Sequence, residues 1–272
     1  MSRKETEVCG FLENTKRTKY AETLWQQSVD SYMGKRYKST KCGYFIITNY
    51  FNANNVEVVF EETGTKVMTS MKVIKKGEIR DKYAKTVYGR GVVGDIQVMS
   101  NGVYIHSYVL WHGMMARCYS GSKTKAYFGC EVIGNFLSFE YFKKWCESQI
   151  GYGLTGYHLD KDLLVNGGSK VYSEYTCCFV PKEINSAIVL QKDRKGTLLG
   201  VTKYNYGSKF RAEVCIGGVR TYLGVYDTED EANSVYVKHK TKFLMELAER
   251  YRETISERAY NALINYNLSS GV

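Results

Sequence analysis

Residues Tyr157-His158-Leu159-Asp160-Lys161-Asp162 read as a short strand ending in charge, and Thr176-Cys177-Cys178-Phe179-Val180 reads as a second strand. Between them lies a glycine-bearing loop, Asn166-Gly167-Gly168-Ser169, followed by Tyr172-Ser173. Pro181, the one proline of the chain, then opens Lys182-Glu183-Ile184-Asn185-Ser186-Ala187-Ile188. Proline at the first helical position with Glu two residues later marks a helix start. Strand, loop, strand, helix is the local expectation. In such a unit the end of the first strand and the first helical turns can face each other, so Asp160 and Asn185 could share one cation. Their oxygens are hard donors that suit Mg²⁺ or Mn²⁺, with water and a phosphate completing the shell. His158 would share a strand face with Asp160, about 7 Å away. His106, His112 and His239 have no partner motif and are assigned no chemistry.

This order of residues resembles the HNH (ββα-metal) endonucleases, particularly the branch found in phage homing enzymes. That branch carries Leu-Asp-(Lys/Arg), then Tyr-Ser-x-x-x-Cys, then a strand and a closing Asn. The matching residues are Leu159, Asp160, Lys161, Tyr172, Ser173, Cys177 and Asn185. Trp111, Met114, Arg117, Cys118, Tyr119 and Trp145 also resemble the helical lead-in of that branch. The resemblance implies a Mg²⁺- or Mn²⁺-dependent DNA endonuclease with Asp160 and Asn185 as metal ligands. The catalytic set is Asp160, Asn185, Lys161 and, from its place on the strand rather than from the resemblance, His158 as the stand-in for a base. Hydrolysis of a phosphodiester needs charge neutralised on the phosphorane and on the departing 3′ oxygen, and one hard cation can serve both. The family's His after the Asp, which deprotonates the attacking water, is Lys161 here. A general base contributes about 10²–10⁴-fold, so its loss weakens a nuclease without abolishing it. Lys161, between two aspartates, is expected to hold a phosphate rather than act as a base.

The elements that must position this centre come before it. Tyr108, Trp111, Met115 and Cys118 form one helical stripe. A second helix is capped by Ser138, with Leu137 and Phe142 spaced as a hydrophobic staple, followed by Trp145 and Cys146. Further upstream the texture is β-rich. Tyr44–Ile47, a turn at Asn52–Asn55, Val56–Phe60, Lys66–Ser70 and Lys72–Ile74 are expected to make a small barrel or meander. Gly89-Arg90-Gly91-Val92-Val93-Gly94 has the wrong spacing for a nucleotide loop and reads as the exit from that module. Residues 1–36 are polar, with a weak helical pattern at Tyr20, Leu24 and Val29, and read as an arm or surface helix.

After the centre, the stretch from Leu199 to Tyr236 reads as three short strands and a helix. Gly217-Gly218 between two β-rich runs marks a hairpin. Thr228 with Glu231 three residues on is a capping box, followed by Ala232, Val235, Tyr236, His239 and Phe243 at helical spacing. The order Gly200-Val201, Lys209-Phe210-x-Ala212-Glu213-Val214, Arg220-x-Tyr222-Leu223-Gly224, Tyr226-Asp227-Thr228 and Glu231-Ala232 resembles the AP-two/ERF DNA-binding domain. That domain is also found at the ends of phage homing nucleases. It implies a sheet that lies on double-stranded DNA, through Lys203, Lys209, Arg211, Arg220 and Tyr222. The Arg that plant members carry after Gly-Val is Thr202 here, with Lys203 next, so contact with the DNA backbone is expected rather than base readout. The tail after Ser256, with Ala259, Leu263 and Tyr266, is expected to pack on this module or on a second copy.

The net charge of +10 is distributed as +6 over residues 1–95, +1 over 96–190 and +3 over 191–272. Basic ends and a near-neutral middle fit ends that hold a polyanion. No run of 18 apolar residues and no apolar leader is present, so neither a membrane span nor a signal peptide is expected. The eight cysteines contain no Cys-x-x-Cys pair and are expected as reduced thiols, without structural zinc. Cys177 and Cys178, adjacent on a strand, should point to opposite faces.

These readings give an α+β, multidomain chain. Residues 1–37 form a polar arm and 38–95 a small β-rich module. Residues 96–190 form the HNH-like domain with its helical lead-in, and 191–272 the three-stranded sheet with its helix. The whole order resembles free-standing homing endonucleases of T7-like phages, which implies the cytoplasm of an infected bacterium. The rival reading is a catalytically degenerate HNH-derived protein that binds DNA and regulates.

Overall fold

Apolar residues at every second position build the first of two compact units, Met1–Thr86. The computed structural model describes residues 19–121, 127–166, 169–188, 197–204 and 207–268, so residues 1–18 of the polar arm and Gly167-Gly168 of the central loop lie outside it. The first described element is α1 (Lys19–Tyr32), which has no buried residue and is tied to the second strand by Trp25 Nε1 donating to Phe51 O at 2.9 Å. Strands β1 (Arg36–Lys38), β2 (Tyr44–Asn52), β3 (Asn55–Phe60) and β4 (Lys66–Thr69) pair in sequence order as an antiparallel meander. Phe45 and Ile47 face Val56, Val58 and Phe60 in its core. The sheet is open, with β1 and β4 as its edges, and does not close into a barrel.

The expected strand at Lys72–Ile74 is instead part of α2 (Met71–Lys76). Ser70 Oγ accepts from Val73 N, and Gly77 at φ 68° ends the helix by donating to Ile74 O and Val73 O. These are the N-cap and left-handed C-cap signals, and they outweigh a short apolar alternation.

The second unit, Val87–Val272, is likewise mixed α and β. It opens with a small hairpin, β5 (Met99–Ser100) and β6 (Val103–Tyr104), and the helix α3 (His106–Tyr119). There follow β7 (Glu131–Val132), α4 (Phe139–Ser148), β8 (Tyr157–Asp160), β9 (Val171–Tyr172), β10 (Cys178–Pro181) and α5 (Lys182–Ile188). Trp111, Met114 and Met115 of α3 pack with Phe136, Phe139, Phe142 and Trp145. Trp111 Nε1 donates to Phe136 O at 2.7 Å, which satisfies the one polar atom of that buried ring. Gly91 has no side chain because a Cβ there would come within 2.8 Å of the Trp111 ring. The Ser138 cap forms as expected, its hydroxyl accepting from Tyr141 N.

Strands β8 and β10 pair antiparallel, with Asp160 opposite Cys178 and His158 opposite Val180. This hairpin lies between two cores. Cys177 and Phe179 enter the aromatic core of α3 and α4, while Cys178 and Val180 enter a second core with Leu163, Ile184 and Ile188. The two adjacent cysteines thus lie on opposite sides, as strand alternation requires. Pro181 is the last ladder residue of β10, and the helix starts one residue later, at Lys182. Proline suits a strand end because it has no N–H to leave unpaired.

The remaining elements are β11 (Val201–Lys203), β12 (Phe210–Ile216), β13 (Val219–Tyr226), α6 (Glu229–Arg250) and α7 (Glu257–Ile264). The three strands form one antiparallel sheet in sequence order. The capping box is complete: Thr228 Oγ1 accepts from Glu231 N and Glu231 Oε2 accepts from Thr228 N, both at 3.2 Å. Ala259, Leu263 and Tyr266 pack on the second half of α6, as expected of the tail, in a core that also holds Leu163 and Ile184. Among the described residues no helix is long and apolar enough to cross a membrane.

Gly200 sits at φ 73°, and a Cβ there would lie 2.0 Å from the Tyr236 ring of α6. Gly200→Ala is therefore expected to destabilise the protein by about 1–3 kcal/mol through overpacking, with the left-handed backbone adding to the cost. Urea unfolding followed by circular dichroism checks this, and pairing the change with Tyr236→Ala should recover part of the loss.

Candidate functional site

Asp160 ends β8 and is 5% exposed. Its Oδ1 accepts from Asp162 N at 2.9 Å and Leu163 N at 2.7 Å, so the carboxylate folds its own turn. Leu163, 1% exposed, holds that turn in the second core. Burial raises the Asp160 carboxyl above its usual range; the two backbone N–H groups and the Lys161 charge oppose the rise, and the Asp162 charge adds to it. Cross-strand partners share a face of a hairpin. Asp160, opposite Cys178, therefore lies on the side of the core that α5 covers.

Asn185 is half-buried on α5, between Ile184 and Ala187, which bury their side chains against the hairpin. The helix is clamped by Glu183, whose Oε1 accepts from Arg250 Nη1 and Oε2 from Tyr251 Oη, both at 2.8 Å. His158 shares the strand parity of Asp160 but is exposed, while Asp160 is buried.

Lys161, expected at a phosphate, has its Nζ on Asp162 Oδ1 at 2.7 Å, Asp162 Oδ2 at 2.8 Å and Ser169 O at 2.7 Å. Its ammonium ties position 161 to Ser169 and is neutralised by Asp162. The tail contributes a neighbour that no local pattern announces. Tyr266 donates to Ile188 O at 3.4 Å, and its phenol is raised to about 12 by burial, with smaller pushes from the Asp160 and Asp162 charges. Asn267 N donates to Asn166 Oδ1 at 2.9 Å, so the segment after α7 fastens onto the loop that follows Asp160.

The donor set fits a divalent ion of the hard class. Among the described residues no group of three or more His, Cys, Asp or Glu could hold a metal. Asp160 and Asn185, a carboxylate and an amide, carry oxygen donors of that class. One or two carboxylate or amide oxygens with water is the habit of Mg²⁺, which keeps much of its hydration. The salt bridge of this turn runs from Lys161 to Asp162, and a cation at Asp160 would offset the cost of its buried charge.

In the three-stranded sheet, register decides which basic residues act together. Arg211 is opposite Thr202 and Val225, Glu213 opposite Tyr222, and Cys215 opposite Arg220, all with outward parity, while Ala212 and Val214 face α6. Arg211, Tyr222 and Arg220 thus share the outer face. Lys203 is opposite Phe210, on the parity of the buried Val201, and stands at the exposed end of its strand. Lys209 pairs with Asp227 at 2.9 Å, and Arg211 with Glu213 at 3.2 Å. A bulge between Ala212 and Glu213 in the β12–β13 pairing brings Tyr222 and Arg220, rather than Leu223 and Thr221, opposite Glu213 and Cys215.

Neither models of known protein families, nor curated proteins, nor solved structures yield a match to this chain.

A carboxyl whose pKa is raised on folding binds its proton more tightly in the folded state. Stability then falls as pH rises from the ordinary carboxylate value of about 3.9 through the raised one. In chelator-treated buffer, Asp160→Asn is expected to flatten this fall and to raise Tm at neutral pH by about 2–4 °C per kcal/mol relieved. Thermal unfolding at pH 4 and pH 7 checks the sign.

Proposed function

We propose that this chain is a metal-dependent DNA endonuclease of the HNH type, held on double-stranded DNA by its three-stranded sheet. One observation carries the reading: the strand that ends in Asp160 belongs to a hairpin covered by the helix that bears Asn185. A divalent ion bound there, Mg²⁺ or Mn²⁺, would supply neutralisation of the phosphorane and of the departing 3′ oxygen. Asp160 presents a carboxylate whose orientation is fixed by its own backbone turn. Asn185 adds a neutral oxygen from a helix fixed by Glu183. His158, exposed on the same strand, is the group free to accept the proton of the attacking water. Lys161 links Asp162 to Ser169, and the Tyr172 ring lies 5.8 Å from its Nζ. Arg211, Arg220 and Tyr222 give the outer face of the sheet cations and a ring for the DNA backbone.

A second reading is favoured by the Lys161–Asp162 pair, which occupies the position of the family's base: a degenerate HNH-derived protein that binds DNA and does not cut. Double-stranded DNA carrying a site selected by the full chain from a random-sequence library, incubated with protein and Mg²⁺, separates the two. The endonuclease reading expects strand breaks that disappear in Asp160→Ala and in Asn185→Ala, while both variants still shift the DNA. Variants that cut as well as the parent remove these residues from the site. Intact DNA with a salt-sensitive gel shift selects the binding protein.

For the sheet, Arg220→Ala is expected to weaken DNA binding and to lower the slope of log affinity against log salt by about 0.9, the loss of one phosphate contact. Lys209→Ala should change the slope less, since its ammonium already sits on Asp227. Equal effects of the two substitutions in a salt titration of the gel shift would contradict this assignment of the face.

A further inference from the structure

The helix α6 belongs to two cores at once. Along its first half, Ala232 is buried with Val201 and Ala212 under the three-stranded sheet. Tyr236 fills the space left by Gly200, and Asn233 Nδ2 donates to Leu199 O at 2.9 Å. The Glu229 carboxylate accepts from Leu198 N, so the entry to the sheet is tied to the same turns. Along its second half, Phe243, Leu244, Leu247 and Ala248 are buried with Leu163, Val180 and Ile184, the residues that hold the Asp160 turn and α5. At its end, Arg250 and Tyr251 grip Glu183, two residues before Asn185. The two sets of contacts are joined by 22 residues of uninterrupted helix, a rod of about 33 Å, and Ile216 at the end of β12 also touches the second core.

We propose that α6 is a rigid spacer that fixes the number of base pairs between the DNA held by the sheet and the phosphodiester placed at Asp160. Asn233 and Tyr236 lock one end, and the grip on Glu183 locks the other. The inference rests on the endonuclease reading for its cutting end and on the sheet contacting DNA for the other. A disordered tether would let the cut wander over the reach of the chain. A helix packed at both ends allows one offset, and cutting at a fixed distance from the bound site then follows from the fold.

The test lengthens the rod. Seven helix-forming residues inserted after Tyr236, ahead of Val237 where packing on the second core begins, extend α6 by about 10.5 Å. They return its faces to within about 20° of their original direction. At 3.4 Å per base pair the offset should grow by about three base pairs. Cut positions are mapped at nucleotide resolution on the DNA selected from a random library by the full chain. In a second variant, His239→Gly with Lys242→Gly, both at exposed positions, the rod is loosened and the cuts should spread over several neighbouring positions.

A parent chain that binds this DNA without cutting it defeats the endonuclease reading alone. The spacer is then read from hydroxyl-radical protection, where the insertion should lengthen the protected tract by the same three base pairs. An offset and a tract that both stay unchanged in the insertion variant overturn the spacer. A single sharp cut in the loosened variant overturns it as well. A chain that selects no DNA overturns it together with the reading on which it rests.

Discussion

A carboxylate buried to 5% exposure at the end of a strand is the constraint around which the second unit is organised. Taking that charge out of water carries a large desolvation penalty, and charged groups are rarely buried without compensation. Here the compensation is local and partial. One carboxylate oxygen receives two backbone N–H groups, while the neighbouring ammonium is committed to Asp162 and Ser169. Such a turn is most stable when something positive and external completes it. The half-buried amide of Asn185, on the helix that covers this hairpin, is a neutral oxygen donor of the kind a hard cation takes.

The rest of the unit can be understood as scaffolding for that turn. The hairpin of β8 and β10 has an aromatic core on one face and an aliphatic core on the other, so its strands cannot shift register without exchanging the two. Leu163 draws the turn inward, and the segment after α7 fastens its far side through Asn166. Each fully buried large apolar side chain of these cores contributes about 1.5–3 kcal/mol relative to exposure. That is the scale needed to hold a desolvated carboxylate in place. The same aliphatic core receives the second half of α6, which joins the turn to the three-stranded sheet.

Much of this was legible in the residues because it rests on local rules. Alternation identified Val56, Val58 and Phe60 as one buried face, and it separated Cys177 from Cys178. The Thr228–Glu231 capping box located the start of α6 to the residue. What was not legible depended on competition or on distance. At Met71–Lys76 the caps Ser70 and Gly77 prevail over an apolar run too short to distinguish strand from helix. That Tyr222 and Arg220 share the face of Arg211 depends on a register altered by the bulge at Ala212 and Glu213. The hydrogen-bond partner of Tyr266, Ile188, lies 78 residues upstream, where no spacing pattern reaches. The pairing of Lys161 with Asp162 was open to view as adjacency, but adjacency alone does not choose between a carboxylate and a phosphate.

The idea that a buried carboxylate and a helix-borne amide together hold one hard cation can be examined without any nucleic acid. Mn²⁺ titrated into the full chain, with free ion followed by electron paramagnetic resonance, counts bound ions directly. One ion per chain is predicted for the parent, with that ion lost from Asp160→Asn and held more weakly by Asn185→Ala. Binding that is identical in the parent and both variants, or absent from the parent, would contradict it.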